Sequence, residues 1–354
     1  MSDWKKSSSV KRVLISFTYY YSSLIGILTV HYDFNRRKII PNPIMKIYAI
    51  TLNVATIVFA PFLLVYNFKT HDFFGNNQLM RITNAVNIMI RGLVVMLTLV
   101  YRWKREKQLI IMLNQLIEIN QIYFDEVRVR KETQWKYDRI FYIKYFTVFY
   151  QSLSIAVTIV RVSSDQSVIA WLSTLYIVNI LNMMHGVMLH YYNTLWHIGK
   201  SFAILNDQLE EISILLRYRH FFVGSHHLAI NVDIIARLHW RLTSILEQLN
   251  ASYKFQIMAT MLTNLINNIA WCYDCIMLAG LMEETEMKFT TTYIIFEIVT
   301  LIIVLLDGYM IDLIGEFTEQ EYQRAIRKLS DFGELAKLER ALERSVSNFW
   351  DTML

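Results

Sequence analysis

The stretch IIARLHWRLTSILEQLNASYKFQIMATMLTNLINNIAWCYDCIMLA, residues 234–279, decides the fold. Its first half is amphipathic. Ile234, Ile235, Leu238, Leu242, Ile245, Leu246 and Leu249 recur at helical spacing, with Arg237, Arg241, Glu247 and Gln248 off that face. Its second half, Phe255 to Ala279, is an apolar run with only Lys254 and Asp274 as nearby charges. No proline interrupts the join, so one helix is expected to pass from water into lipid. Paired membrane spans are expected before this stretch and one more pair after it.

Composition agrees. Of 354 residues, 54% are hydrophobic and 14% aromatic, and three are proline. That is too apolar for an ordinary soluble protein. Apolar windows of about 20 residues recur, each long enough to cross a hydrocarbon core of about 30 Å. The runs are continuous rather than alternating, which excludes a β-barrel. The fold class is therefore an all-α polytopic membrane protein. Six clear spans are expected, at Ile44–Phe68, Leu79–Tyr101, Ile140–Val160, Val168–Tyr192, Phe255–Met282 and Phe289–Leu313. Pro61 is expected to kink the first.

An apolar N-terminal run, Val13–Val30, precedes them, rich in Ser, Thr and Tyr and without a cleavage site of the signal-peptide kind. It is barely long enough to span. The basic residues decide between crossing and re-entry. With a cytoplasmic N-terminus and a re-entrant first run, segments 1–43, 102–139, 193–254 and 313–354 lie inside and hold 28 Lys and Arg, against four in the outer links. If the run crosses, the pattern inverts, so re-entry is preferred. The one N-x-[ST] site, at Asn250, then lies inside and is expected to be unglycosylated. The same one-sidedness explains the net charge of +5 without nucleic acid.

The inner segments carry helical periodicity over 106–122, 196–216 and 316–345, so amphipathic cytoplasmic helices are expected there. The chain divides at 192/193 into an N-terminal part with four spans and an outer ligand cleft, and a C-terminal part with anchor helices and the last two spans. The two form one integrated membrane domain.

No catalytic constellation is present: no Gly-rich phosphate loop, no G-x-S-x-G, and histidines and acidic pairs without metal-ligand spacing. The expectation is no enzyme activity, no cofactor and no metal. Cys272 and Cys275 read as small buried side chains. Ionisable residues within spans are costly and therefore informative: Arg91, Asp274, Glu297 and Asp307. They line a water-filled cavity or form buried pairs, Arg91 with Glu297 or Asp274. Polar and aromatic groups toward the outer ends, Tyr150, Gln151, Trp171, Tyr176, Asn179 and Tyr293, suit a small-molecule cleft or an interfacial aromatic belt. Adding Asn87 gives a candidate ligand set of Asn87, Arg91, Tyr150, Gln151, Trp171, Tyr176, Asn179, Asp274, Tyr293 and Glu297.

The run Ile235-Ala-Arg-Leu-His-Trp-Arg-Leu242, continuing through Asn250-Ala-Ser-Tyr253-Lys-Phe255-Gln256-Ile257, resembles the insect gustatory receptors. There a Leu- and His-bearing helix leads through an Asn-x-x-aromatic-x-x-Gln-like stretch into the fifth helix. Trp103-Lys-Arg-Glu106 with the leucine-rich 109–116, and Leu338-Glu-Arg-Ala-Leu-Glu343 with Phe349, look like two further family segments. The resemblance covers nearly the whole chain. It implies seven spans, a cytoplasmic N-terminus, the plasma membrane of chemosensory neurons, and a tetrameric cation channel opened by small-molecule tastants to drive acceptance or avoidance. Subunits, homo- or hetero-tetrameric, would meet through helices below the membrane, and membrane lipid is the other partner. The family's final, pore-lining span carries Thr-Tyr, five apolar residues and Gln-Phe. Here Thr292-Tyr293 begins a look-alike, but Val299-Thr300 occupy the Gln-Phe places and no apolar run of about 20 residues follows Leu313. A form lacking the pore helix is therefore expected, from a truncated gene model, a variant isoform or a decaying receptor gene. The rival readings are a non-conducting partner subunit and, lower, a secondary transporter, for which no mirrored pair of broken helices is seen.

Overall fold

The computed structural model describes residues 2–33, 36–70, 78–124, 127, 129–163, 168–218, 225–281 and 291–333. Among them are seven α-helices: α1 (Ser2–Leu24), α2 (Pro43–Thr70), α3 (Gln78–Ile119), α4 (Lys131–Ser163), α5 (Val168–Tyr218), α6 (Ser225–Leu281) and α7 (Thr291–Gly333). A two-stranded hairpin, β1 (Val30–Asp33) and β2 (Lys38–Pro41), joins α1 to α2. Each of the six expected apolar runs lies on its own helix, from α2 to α7, as far as those runs are described. The expected amphipathic segments 106–122 (to Ile119), 196–216 and 316–345 (to Gly333) continue α3, α5 and α7 rather than standing alone; residues 334–345 lie outside the described residues. Residues 234–279 fall within one unbroken helix.

The N-terminal run is not one helix. α1 stops at Leu24, where Gly26 takes φ +76°, a left-handed conformation that glycine adopts without strain. Ile27 and Leu28 then donate their amides back to the Ser22 carbonyl. The reversed chain returns along the helix, so that the Tyr19 hydroxyl donates to the Val30 carbonyl at 2.6 Å. Helical residues 13–24 rise about 18 Å, well short of a bilayer core. The hairpin follows in antiparallel register, Val30 opposite Pro41 and Asp33 opposite Lys38, with Arg37 at φ +48° in its turn. Asn42 then caps α2 by accepting the amides of Ile44 and Met45, and Pro43 occupies the first helical position.

Two compact units emerge. The first comprises 1–107, 143–190 and 253–309, the second 108–142, 191–252 and 310–354. In the first, α2 to α7 all turn apolar stripes outward. On α3 the exposed residues are Ile82, Val86, Met89, Leu93, Leu97 and Val100, and on α4 Phe146, Phe149, Leu153 and Val157. Its buried positions include Asn53, Thr56, Thr98, Lys144, Thr147, Gln256 and Asp307. Among described residues, Ile298–Lys328 is the one stretch long and apolar enough by itself to cross a membrane, and Pro43–Phe59 is a shorter apolar one.

The second unit has the opposite pattern. Ile198, Phe202, Leu205 and Leu209 of α5 are buried with Leu238, Leu242, Ile245 and Leu249 of α6, while Arg237, Glu247 and Gln248 are exposed. Trp196 packs on Phe141 with ring centroids 5.1 Å apart and donates its Nε1–H to the Tyr137 carbonyl. His239 lies between Phe202 and Tyr322, at 4.8 and 5.3 Å. At the polar edge one oxygen of Glu210 accepts from Lys328 at 2.7 Å, Arg130 at 2.9 Å and Arg324 at 3.1 Å. The hydrogen bond from Lys328 is the main reason the Glu210 carboxyl sits below its usual range.

Two predictions follow from the packing of the second unit. A Cβ at Gly199 would lie 2.6 Å from Thr318 Oγ1 and 3.4 Å from the Tyr137 hydroxyl. Gly199→Ala is expected to lower stability by about 1–3 kcal/mol, and adding Thr318→Ala to restore most of it, read as melting midpoints in lipid nanodiscs. Burial holds His239 near pKa 4, against 6.5 for a free imidazole. The folded chain therefore binds fewer protons than the unfolded one between these values. Its contribution is complete above pH 6.5 and is lost as pH falls toward 4, up to about 3 kcal/mol. His239→Phe should flatten that part of a stability-against-pH curve.

Candidate functional site

A buried polar seam joins α4 and α7 inside the first unit. On α4, Lys144, Thr147, Gln151 and Ser154 recur at spacings of three and four, which puts them on one helix face, and all are buried. On α7, Thr300 and Asp307 are seven apart and also buried. The Lys144 ammonium donates to Asp307 Oδ1 at 2.7 Å and to the Asp307 carbonyl at 3.2 Å. The Thr147 hydroxyl lies 2.6 Å from the same carboxylate oxygen and 2.8 Å from the Lys144 carbonyl, and the charged oxygen is the stronger acceptor. About two turns away, Ser154 and Thr300 bring their hydroxyls within 3.4 Å. Pairing at 154/300 and 147/307 shows two antiparallel helices in heptad register.

Further polar contacts tie other elements of the first unit together. Thr18 of α1 meets the Tyr145 hydroxyl at 3.1 Å, and Ser22 meets His190 Nε2 at 2.8 Å. Thr29 and Lys46 both donate to the Glu106 carboxylate, the latter at 2.8 Å. A cavity holding about 280 Å³ of free space, mouth included, is lined by Ile27 together with Val95 and Thr98 of α3, Met183 and Val187 of α5, and Thr260 of α6. Its enclosed space is only about 10 Å³, room for about one water molecule, far below the several hundred Å³ typical of small-molecule sites.

A family model described as the 7tm chemosensory receptor matches residues 15–354. The chain belongs to the 7tm chemosensory receptor family. Among curated proteins it is similar to the candidate gustatory receptor 36a of Drosophila melanogaster, 23% identical over 253 residues. That alignment covers 69% of this chain and 63% of the relative, so the chain spans less than two thirds of that protein's length. It is also similar to the candidate gustatory receptor 36c of the same species, 23% identical over 274 residues, covering 73% of this chain and 67% of the relative.

The structure places the ten candidate residues of this chemosensory receptor as follows. Gln151 is buried on the same α4 face as Lys144 and Thr147. Tyr150, on the next face, is half-buried and approaches Phe146 at 6.4 Å between ring centroids. Tyr176 of α5 donates its hydroxyl to the Thr56 carbonyl of α2 at 2.6 Å. Trp171 is 39% exposed, as either a cleft or an interfacial residue would be, and Asn179 is half-buried. Arg91 presents a buried Nε without a hydrogen-bond partner. Asn87, Asp274, Tyr293 and Glu297 lie on α3, α6 and α7, and their side chains fall outside the described residues. None of the six candidates with described side chains lines the cavity.

Sequence reasoning missed Lys144. It flagged Asp307 as an ionisable residue within a span but passed over the lysine that answers it. The signal was available: a lysine four residues into an apolar run, followed by Thr147, Gln151 and Ser154 at helical spacing, is a polar stripe that needs a partner. Removing either charge alone leaves the other buried. Lys144→Met or Asp307→Leu is expected to cost on the order of 3–5 kcal/mol, and the double variant much less than the sum. A double-mutant cycle on nanodisc melting midpoints reads the difference. Additive losses would show that the pair is not coupled.

Proposed function

We propose that the protein is a gustatory chemoreceptor subunit, part of a ligand-gated cation channel that answers small-molecule tastants and mediates acceptance or avoidance. The observation that carries this reading is the inverted patterning of the first unit in a chain of chemosensory receptor family. Helices α2 to α7 each expose an apolar stripe while burying polar groups. Six outward apolar stripes suit lipid on all sides, and bonded polar groups inside suit a medium that offers no water. In this reading α2 to α7 cross the plasma membrane of a chemosensory neuron. α1 and its reversal enter and return from the cytoplasmic side, where the N-terminus lies.

The tastant cleft is assigned to the outer ends of the spans, with Tyr150, Gln151, Trp171, Tyr176 and Asn179 on α4 and α5. The remaining candidates, on α3, α6 and α7, belong to the same proposed set. Ligand binding opens the channel only through contacts that differ between closed and open arrangements. The amphipathic segments of the second unit are assigned to assembly with further receptor subunits, as homo- or hetero-tetramers.

Expression of the full native transcript's product, alone and with related subunits, under voltage clamp with a panel of sugars, alkaloids and organic acids tests this reading. Tastant-evoked cation current is expected, and Arg91→Ala or Glu297→Ala should shift the dose-response or surface expression. Current seen only on co-expression would favour an auxiliary subunit. Its absence in every combination, despite surface expression, would overturn the channel reading.

A further inference from the structure

α1 turns one line of apolar residues away from the protein. Val10, Val13, Phe17, Tyr20 and Leu24 follow one another at spacings of three and four, so they share a helix face. Each is between 46 and 65% exposed. The inward face is polar: Thr18 and Ser22 are buried and bond to Tyr145 of α4 and His190 of α5. The apolar line does not stop at the end of α1. The Leu24 carbonyl accepts the Tyr48 hydroxyl at 2.6 Å, and Tyr48 belongs with Ile44 and Ile47 to the outward stripe of α2. One apolar surface therefore continues from α1 to α2.

The charge beside that surface is one-sided. Residues 1–43 hold seven Lys and Arg against Asp3 and Asp33, whereas the rest of the chain holds 28 basic and 28 acidic residues. The whole net charge of +5 thus resides in α1, the hairpin and their links. Arg12, Arg36, Arg37 and Lys38 are exposed, and Asp33 stands 3.7 Å from Arg36 Nε. The turn of the hairpin lies level with Arg12. β1 runs back along α1, where the Tyr19 hydroxyl donates to the Val30 carbonyl and accepts from the Tyr32 amide. Val30 to Asp33 spans about 10 Å of strand, and Tyr19 to Arg12 spans about 10 Å of helix. Basic residues from two elements gather at one end of the apolar face. An amphipathic helix with such a cluster is the pattern that binds anionic membrane surfaces.

We infer that α1 and the hairpin form a contact surface for anionic phospholipid of the phosphatidylserine class in the cytoplasmic leaflet. The line from Val10 to Leu24 enters the acyl boundary, and Arg12, Arg36, Arg37 and Lys38 meet the headgroups. The inference rests on the reading that α2 to α7 cross the membrane. Exposed cations on two separate elements act through their summed charge, so charge density matters more than headgroup identity.

The test is hydrogen exchange of the full chain in phosphatidylcholine nanodiscs with and without added phosphatidylserine. Amides of 10–24 and 30–41 are expected to exchange at least tenfold more slowly in the anionic discs, and phosphatidylglycerol at equal charge should act alike. Salt at about 1 M, where the screening length is about 3 Å, should remove most of the difference. So should Arg12→Gln with Lys38→Gln, both at exposed positions, while the amides of α4 and α5 stay unchanged. Phe17→Ser should speed α1 exchange in both lipids. Equal exchange in neutral and anionic discs would overturn the inference, as would a slowing that survives the double variant. A slowing found only in discs holding several chains, whatever the lipid, would overturn it in favour of an interface between copies. A response to a phosphoinositide alone at matched charge would overturn it in favour of a headgroup-specific site. Fast exchange throughout α2 to α7 in every disc would overturn the membrane reading and this inference with it. Lipid-dependent exchange of α1 in a protein that passes no current would leave it standing.

Discussion

Polar groups packed inside an apolar exterior are the constraint on which the first unit depends. Each hydroxyl, amide and charge taken into such an interior must find its bond within the protein, because an unpaired polar group there costs several kcal/mol. The Lys144–Asp307 pair is the most demanding case. Its ammonium is saturated from one side by a carboxylate oxygen and a carbonyl, and its carboxylate is backed by Thr147. Thr18 with Tyr145 and Ser22 with His190 extend the same rule to α1. These bonds are directional, so they fix helix register more tightly than apolar packing alone. The pairing of 154 with 300 and 147 with 307 leaves α4 and α7 no cheap way to slide.

The extents of the helices were legible because apolar runs and amphipathic periods report backbone structure directly. Most of the patterned positions in α5 and α6, among them Ile198, Phe202, Leu205, Leu209, Leu238, Leu242, Ile245 and Leu249, are buried, while Ile234 and Leu246 are half-buried. The N-terminal run misled in detail, because hydropathy does not show direction. Ile25, Ile27, Leu28 and Val30 are apolar and buried, yet they follow a reversal set by Gly26 and lie beside α1 rather than extending it. The short hairpin escaped notice for a related reason. Its strands are four residues each, too short for an alternating pattern to stand out, and the charged Arg36 and Arg37 stand in the turn between them. Lys144 was obscured because one cation hardly alters the mean of an apolar window. The stripe it shares with Thr147, Gln151 and Ser154 appears only when the run is read at helical period.

The two units follow opposite solvent rules with the same helices. In α6 the change falls near Tyr253: Leu242, Ile245 and Leu249 are buried, whereas Phe255, Met258, Leu262 and Leu265 are exposed. No break in the backbone marks it. A helix satisfies its own amides whatever surrounds it, so only the side-chain pattern needs to change at such a boundary. The low share of proline and glycine in the chain is consistent with this use of long continuous helices.

The seam also limits how a ligand can act on this receptor. A one-turn displacement of α7 along α4 moves it about 5.4 Å, which separates Lys144 from Asp307 and leaves both buried and unpaired. That costs several kcal/mol, whereas ligand coupling energies are typically about 1–3 kcal/mol. The balance favours a motion in which α4 and α7 travel together and the less tightly bonded contacts change instead. The single hydrogen bond from Tyr176 to the Thr56 carbonyl is of that weaker class, worth about 0.5–1.5 kcal/mol. Under the receptor function proposed above, a small molecule competing for the Tyr176 hydroxyl would need only energy of that size to alter the packing of α5 on α2 while the α4–α7 seam stays intact.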